Sequence, residues 1–303
     1  MDLVVVGGGV AGLAAAHRAK EQGAEVMLLE ASDRVGGLVR TERTDGFVIE
    51  RGPESFLTRD PILLELSETL GIADRLVRTE AQGAFVVHRG KLERIPAGFQ
   101  LLAPLDARSF WKTPMVSRRG KLRALLEPLL PASPQEDESL ASFVRRRFGD
   151  EVLVRLAQPL ASGIYGADPR QLGLRSTLPR FLDAEASGSV VRGLRAQATE
   201  GDRAAGARYG LFASYDGGMT VLTDGWAAAL GDVVRTGEPV SAIERRGESW
   251  VVRSRSGELE ASAVVLATPA PIAAELLSPL DAELAAELRA IRLGSAATAT
   301  FGF

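Results

Sequence analysis

The first dozen residues constrain this chain more than anything that follows. Leu3-Val4-Val5-Val6 is an unbroken run of β-branched residues and leucine that stops at Gly7-Gly8-Gly9 and gives way to helical spacing from Val10. An unbroken apolar run suits a strand covered on both faces, the condition of a parallel strand sandwiched between other elements. A helix is expected over residues 10–22, with Leu13, Ala14, Ala16, His17 and Ala19 turned inward and Gly23 closing its C-terminal end. A second apolar strand, residues 25–29, ends in Glu30. Within this strand, turn and helix, the spacing Gly7-x-Gly9-x-x-Gly12 has a physical meaning. The first glycine permits the tight turn, the second lets the backbone approach a pyrophosphate, and the third lets helix and strand pack closely, with the helix N-terminus facing the negative charge. Gly7, Gly8, Gly9, Val10, Ala11 and Gly12 are therefore candidate dinucleotide ligands.

Glu30, followed by Ala31, is placed to accept hydrogen bonds from the ribose hydroxyls of an adenosine, and its charge disfavours a 2′-phosphate. A second glycine-rich turn comes next: Arg34-Val35-Gly36-Gly37-Leu38. A nicotinamide dehydrogenase has no need of it, whereas the flavin half of a bound FAD extends back over this segment. Composition supports cofactor chemistry by exclusion. There is no cysteine and only two histidines, His17 and His88, which removes disulfides, thiolate metal sites, cysteine nucleophiles and a sulfur-linked cofactor, and disfavours a histidine-rich metal site or a Ser-His-Asp triad. With 36 basic and 39 acidic residues there is no excess positive charge to hold nucleic acid. Residues 3–6 are too short for the apolar core of a secretory signal.

These residues resemble the flavin-containing amine oxidase superfamily, and later segments narrow the resemblance to its porphyrinogen oxidases of haem synthesis. Gly46-Phe47-Val48-Ile49-Glu50-Arg51-Gly52-Pro53-Glu54-Ser55-Phe56-Leu57 is similar to that family's flavin-side stretch. Gln158-Pro159-Leu160-Ala161-Ser162-Gly163-Ile164-Tyr165-Gly166-Ala167-Asp168-Pro169 resembles its P-x-x-S-G-[VI]-Y-A-G-D-P block, with Gly166-Ala167 inverted relative to the usual order. Phe212 to Met219 looks like the strand and glycine turn that open the next helix. The resemblance implies an α/β protein: a Rossmann-type FAD-binding domain of the GR2-like flavoproteins from residues 1–56 and 217–272, an interleaved α+β substrate domain from 57–98 and 273–303, and a helical insertion, with a possible membrane-facing surface, over 99–216. It adds Gly52, Pro53, Glu54, Ser55 and Val240, the last through its backbone, to Glu30, Ala31, Arg34, Gly36, Gly37 and Leu38 as FAD-binding candidates. It also puts Thr268-Pro269 near the pyrophosphate. FAD held noncovalently, O2 as acceptor and a porphyrinogen substrate are implied, with no catalytic side chain and no metal.

Ala84 stands where plant and animal protoporphyrinogen oxidases carry an arginine, and other segments look closer to bacterial enzymes of the coproporphyrin route. Coproporphyrinogen III is therefore favoured over protoporphyrinogen IX, with Arg94, Arg175 and Arg180 as regional candidates for its propionates. Another amine-oxidase-superfamily enzyme or a noncatalytic FAD-fold protein are the alternatives. The family's chains are longer, and nothing after Pro269 supplies their closing Gly-Asp segment. The expectation is an N-terminal fragment, cut in an apolar strand at residues 296–303, that alone binds FAD poorly and does not turn over, whereas the complete gene product does.

Elsewhere, physical signals predict a helix within residues 57–76 starting near Pro61, a hairpin of residues 85–88 and 92–95, and a helix over 140–148 capped by Ser139. In residues 107–126 every charge is positive and aromatics are interleaved, a pattern that suits either an anionic membrane surface or a helix packed on its own domain. Pro114, Gly120 and Pro128 are expected to break it. A cytoplasmic protein, peripheral at most, is implied. Residues 131–139 and 199–208 read as polar connectors.

Overall fold

In the computed structural model, which describes residues 1–58, 60–78, 84–133, 135, 137–197 and 212–301, Leu3–Val6 is an inner strand of a four-stranded parallel sheet. Val26–Leu29 pairs with it on one side and Ala263–Leu266 on the other, while Val234–Arg235 extends the sheet beyond Val26–Leu29. The unbroken apolar run now has its cause. Val5 joins a core with Leu13, Ala16, Leu28, Leu222 and Trp226, whereas Val4 and Val6 join a separate core with Ile243, Val252 and Leu276. Alternate side chains of one strand thus enter different apolar layers, and neither face tolerates a polar residue. The helices Val10–Glu21 and Thr220–Leu230 supply the first layer. The antiparallel strands Ala242–Arg246, Ser249–Ser254 and Gly257–Ala261, with the helix Ala270–Leu277, supply the second.

The chain divides into two compact units, the first built mainly from Met1–Arg78 and Phe212–Leu293 and the second mainly from the segment between them, with Gly294–Ala296. Phe212–Tyr215 is flanked by Phe56–Leu57 and Leu76–Arg78 in a separate three-stranded antiparallel sheet, and the Ser67 and Tyr215 hydroxyls are 2.6 Å apart; Phe56, Ala213 and Tyr215 share an apolar core with Val5, so this small sheet belongs to the same unit as the parallel one. The helix expected within 57–76 is Ile62–Thr69, starting after Pro61 and ending before Gly71, which takes φ +68°.

The hairpin Phe85–His88 and Lys91–Arg94 belongs to the second unit, where Val86 and Ile95 pack on the helical core. That core collects Phe110, Phe143, Phe148, Leu156, Phe181 and Leu194 from successive helices. Leu140–Phe148 starts where expected, with the Ser139 hydroxyl accepting from the Ser142 amide at 3.2 Å. The basic segment folds as Ala107–Lys112 and Arg118–Leu125, broken at Pro114 but not at Gly120. A Cβ at Gly120 would stand 2.8 Å from Val116, so this glycine serves close packing inside the helix. Phe110 and Ala124 are buried in the unit's own core, while Leu122 and Leu126 stay exposed. Among the described residues no helix is long and apolar enough to cross a membrane.

The apolar run at 296–301 is exposed and forms no strand among the described residues, for no neighbouring strand offers it a hydrogen-bond ladder. Residues 302–303 and the connector at 199–208 lie outside the described residues.

Candidate functional site

The carboxyl end of Leu3–Val6 turns sharply into the helix Val10–Glu21. Gly7 takes φ +106°, a conformation that favours glycine, and its amide donates to the Leu29 carbonyl at 2.8 Å. A Cβ at Gly12 would lie 1.8 Å from the Gly7 carbonyl oxygen, so strand and helix meet with no room for a side chain. Gly9 differs: a Cβ there would have nothing within 4 Å. It occupies the cap position of a helix with no side-chain cap and no acidic residue in its first turn. The first-turn amides therefore face an open cradle suited to phosphate oxygens. Beside it, Thr268 has a buried hydroxyl oxygen without a hydrogen-bond partner, and its methyl group would lie 3.3 Å from a Cβ at Gly7. An open glycine cradle, free helix amides and an unpartnered hydroxyl together fit a pyrophosphate.

Glu30 ends Val26–Leu29 as expected, and its carboxylate is held in place. It accepts from the Gly8 amide at 2.6 Å and from the Ser32 amide and hydroxyl at 2.8 and 2.7 Å. Its carbonyl accepts from the Glu238 amide at 2.9 Å, which brings the approach to Val240 alongside; Val240 itself is half-buried against the second apolar layer. The Ser256 hydroxyl and amide and the Ser254 hydroxyl bind the Glu238 carboxylate and hold its pKa below the ordinary carboxylate value.

The second glycine turn lies directly on the first. Gly36, at φ +101°, donates to the Gly8 carbonyl at 2.7 Å, and a Cβ at Gly37 would stand 3.2 Å from the Gly9 Cα. Arg34 braces this turn from within, its guanidinium donating to the carbonyls of Val35, Val39 and Gly37 at 3.0, 3.1 and 2.8 Å. Leu38 is 86% exposed, and Gly52 packs so near it that a Cβ would lie 1.9 Å from the Leu38 carbonyl oxygen. Pro53, Glu54 and Ser55 run on from Gly52 toward Phe56–Leu57; Val10, Ala11 and Ala31 are exposed along the rim.

The geometry thus gathers Gly7 to Gly12, Glu30, Gly36, Gly37, Leu38 and Gly52 on one side of the sheet's carboxyl edge. What the sequence did not disclose is the support behind them: Thr41, Glu50 and Thr223. No local signal marks these residues, since the Glu50 and Met219 partners lie 169 positions apart.

His17 lies on its helix face 3.6 Å from Glu21, and His88 is half-buried in a strand of the second unit, so neither joins the site. Arg94 and Arg175 are exposed on the second unit, and the Arg180 guanidinium lies 5.2 Å from the Phe181 ring centre. No group of metal-binding side chains occurs among the described residues.

A family model described as flavin containing amine oxidoreductase matches residues 10–303. The coproporphyrinogen III oxidase of Bacillus subtilis (strain 168) is 34% identical over 99% of this chain and 66% of its own length. The chloroplastic protoporphyrinogen oxidase of Nicotiana tabacum is 30% identical over 93% of this chain and 53% of its own. A crystal structure of a protein described as a candidate protoporphyrinogen oxidase from Exiguobacterium sp. 255-15 superposes with a TM-score of 0.80 at 33% identity, covering 95% of this chain and 63% of that one. The chain spans about two thirds or less of the length of these relatives.

Proposed function

From its place in the flavin-containing amine oxidoreductase family, to which this chain belongs, we propose that the protein binds FAD noncovalently and serves the oxidation of a porphyrinogen to a porphyrin with O2 as acceptor. Coproporphyrinogen III is the favoured substrate and protoporphyrinogen IX the next. The observation that carries this reading is the Bacillus coproporphyrinogen III oxidase match, which runs over 99% of the chain and so takes in both units.

The chain's own residues support the cofactor assignment. The open cradle at Gly9 and the free amides of Val10–Glu21 suit the pyrophosphate. The Glu30 carboxylate suits ribose hydroxyls and repels a 2′-phosphate. The paired turns at Gly8–Gly9 and Gly36–Gly37 give a surface without side chains against which a flat ring system can lie, and Gly52 beside Leu38 continues it. Attachment through sulfur has no residue to use, since the chain contains no cysteine. A bound flavin supplies acceptance of hydride from the macrocycle, so the protein's part is to hold and orient the reactants and keep competing reactions out.

The test is to purify the full-length protein with added FAD and follow porphyrin fluorescence with coproporphyrinogen III, protoporphyrinogen IX and simple amines. Fluorescence growth, fastest with coproporphyrinogen and matched by oxygen uptake, is the expected result. Turnover of amines alone would overturn the substrate assignment. A yellow protein that consumes no oxygen with any of these compounds would instead mark a noncatalytic FAD-fold protein.

A further inference from the structure

The turn Asp216-Gly217-Gly218-Met219, which opens the helix Thr220–Leu230, is held by a hairpin far away in the chain, Thr41–Thr44 with Phe47–Glu50. The Glu50 carboxylate accepts from the Met219 amide at 2.7 Å and from the Thr41 hydroxyl at 2.9 Å. The Thr41 oxygen accepts in turn from the Thr220 amide at 3.1 Å. Arg43 donates to the Gly217 carbonyl. Two of the helix's orphan N-terminal amides are therefore satisfied by a remote hairpin, where most helices use a residue at their own start. The fit is close: a Cβ at Gly218 would stand 2.3 Å from Thr41 and 2.6 Å from Glu50.

One turn into that helix, buried Thr223 meets the second glycine turn, and a Cβ at Gly36 would lie 3.1 Å from its hydroxyl oxygen. Gly36 and Gly37 rest in turn on Gly8 and Gly9. Glu50, the helix start, Thr223 and the two glycine turns thus form a stack without slack, and the same hairpin leads directly into Gly52. Movement of the helix start would be felt at the second glycine turn before it reached the first, where Gly7, Gly12 and Glu30 are fixed by their own strand and helix.

We infer that Glu50 is a positioning residue for the flavin half of the cofactor site: it pins the start of Thr220–Leu230 so that Thr223 holds the Gly36–Gly37 turn at its working distance from Gly8–Gly9. This rests on the FAD reading above. It separates the two halves of the nucleotide. In E50A, FAD binding should weaken about tenfold or more, the scale of a lost charge-assisted hydrogen bond, while ADP binding stays within about twofold, because its cradle does not depend on Glu50. E50Q keeps an acceptor for Met219 and a partner for Thr41, so it should hold FAD within about threefold of the original affinity. T41V, which removes the hydroxyl at nearly constant shape, should reproduce E50A in part and serves where E50A does not fold.

Titrations of the full-length protein and its variants with FAD and with ADP read the split. Unchanged FAD affinity in both E50A and T41V would overturn the inference, and so would equal weakening of FAD and ADP, which marks a merely structural role. Should the unsubstituted protein bind neither nucleotide, the FAD reading itself fails. Amide exchange over residues 36–39 in nucleotide-free protein then decides the role of Glu50: faster exchange in E50A or T41V but not in E50Q supports it, and unchanged exchange sinks it.

Discussion

Gly9 and Gly12 belong to one triplet yet answer to different physics. At Gly12 a side chain meets the Gly7 carbonyl at 1.8 Å, whereas at Gly9 it meets only open space, and Gly9 has ordinary extended backbone. G12A should therefore cost stability, about 1–3 kcal/mol or more by overpacking, and lose FAD binding with it. G9A should melt within about 2 °C of the original protein, because no contact is displaced, yet bind FAD at least about tenfold more weakly, because the methyl stands where the pyrophosphate must approach. Thermal melting alongside FAD titration separates the two. A G9A protein that binds FAD normally would remove the pyrophosphate from this cradle. Arg34 teaches a related lesson. Its proximity to the glycine doublet suggests a ligand for the cofactor, and three of its five guanidinium donors are given to carbonyls of its own turn, which it braces.

Among elements, the second unit contains a helix whose start no local motif explains in full. Val190–Gln197 is capped by Glu127, whose carboxylate accepts from the Val190 and Val191 amides at 2.8 and 3.2 Å and from the Ser189 hydroxyl at 2.8 Å. The same carboxylate pairs with Arg147, and both residues are almost wholly buried. Removing it in E127A leaves two buried amides without an acceptor and Arg147 with only the Pro131 carbonyl and a longer contact to Glu185, and a loss of about 2–4 kcal/mol is expected. Urea unfolding of the variant measures it, and a loss below about 1 kcal/mol would show that the Val190 and Val191 amides find other acceptors. The contrast with Leu140–Phe148 is instructive. Ser139 sits three residues from the amide it caps and is legible from sequence, while Glu127 acts on amides 63 and 64 positions away and is not.

Across the whole molecule, the acid limit of stability follows from carboxylates in both units. Burial pushes the Glu185 carboxyl up, but hydrogen bonds from Arg146 and the Ser133 amide, with the charges of Arg146 and Arg147, outweigh it and hold the group below its ordinary 4.5. Hydrogen bonds from Ser117 lower Glu151, those from Ser256 and Ser254 lower Glu238, and Arg253 lowers Glu258. A carboxylate lowered in the folded state contributes stability that is present above its unfolded value and is lost as pH falls through the folded one. The melting temperature should therefore fall steadily below about pH 4.5, as these carboxylates begin to protonate. A midpoint unchanged down to about pH 3 would contradict these pairings.

The parallel strand, the glycine turn, the helix and the acid that closes the second strand are all legible from neighbouring residues, because each depends on their backbone freedom and side-chain period. The sequence also carried the family, through matches spread along the chain. Three features depend on the folded chain: residues 57–78 pack into the unit of the parallel sheet through a small sheet of their own, Glu50 and Thr41 grip the start of Thr220–Leu230, and Glu127 caps Val190–Gln197. Those partners meet because distant segments pack side by side. A carboxylate that will bind an amide more than a hundred residues away has no period, spacing or neighbour in the sequence to set it apart from one that faces water.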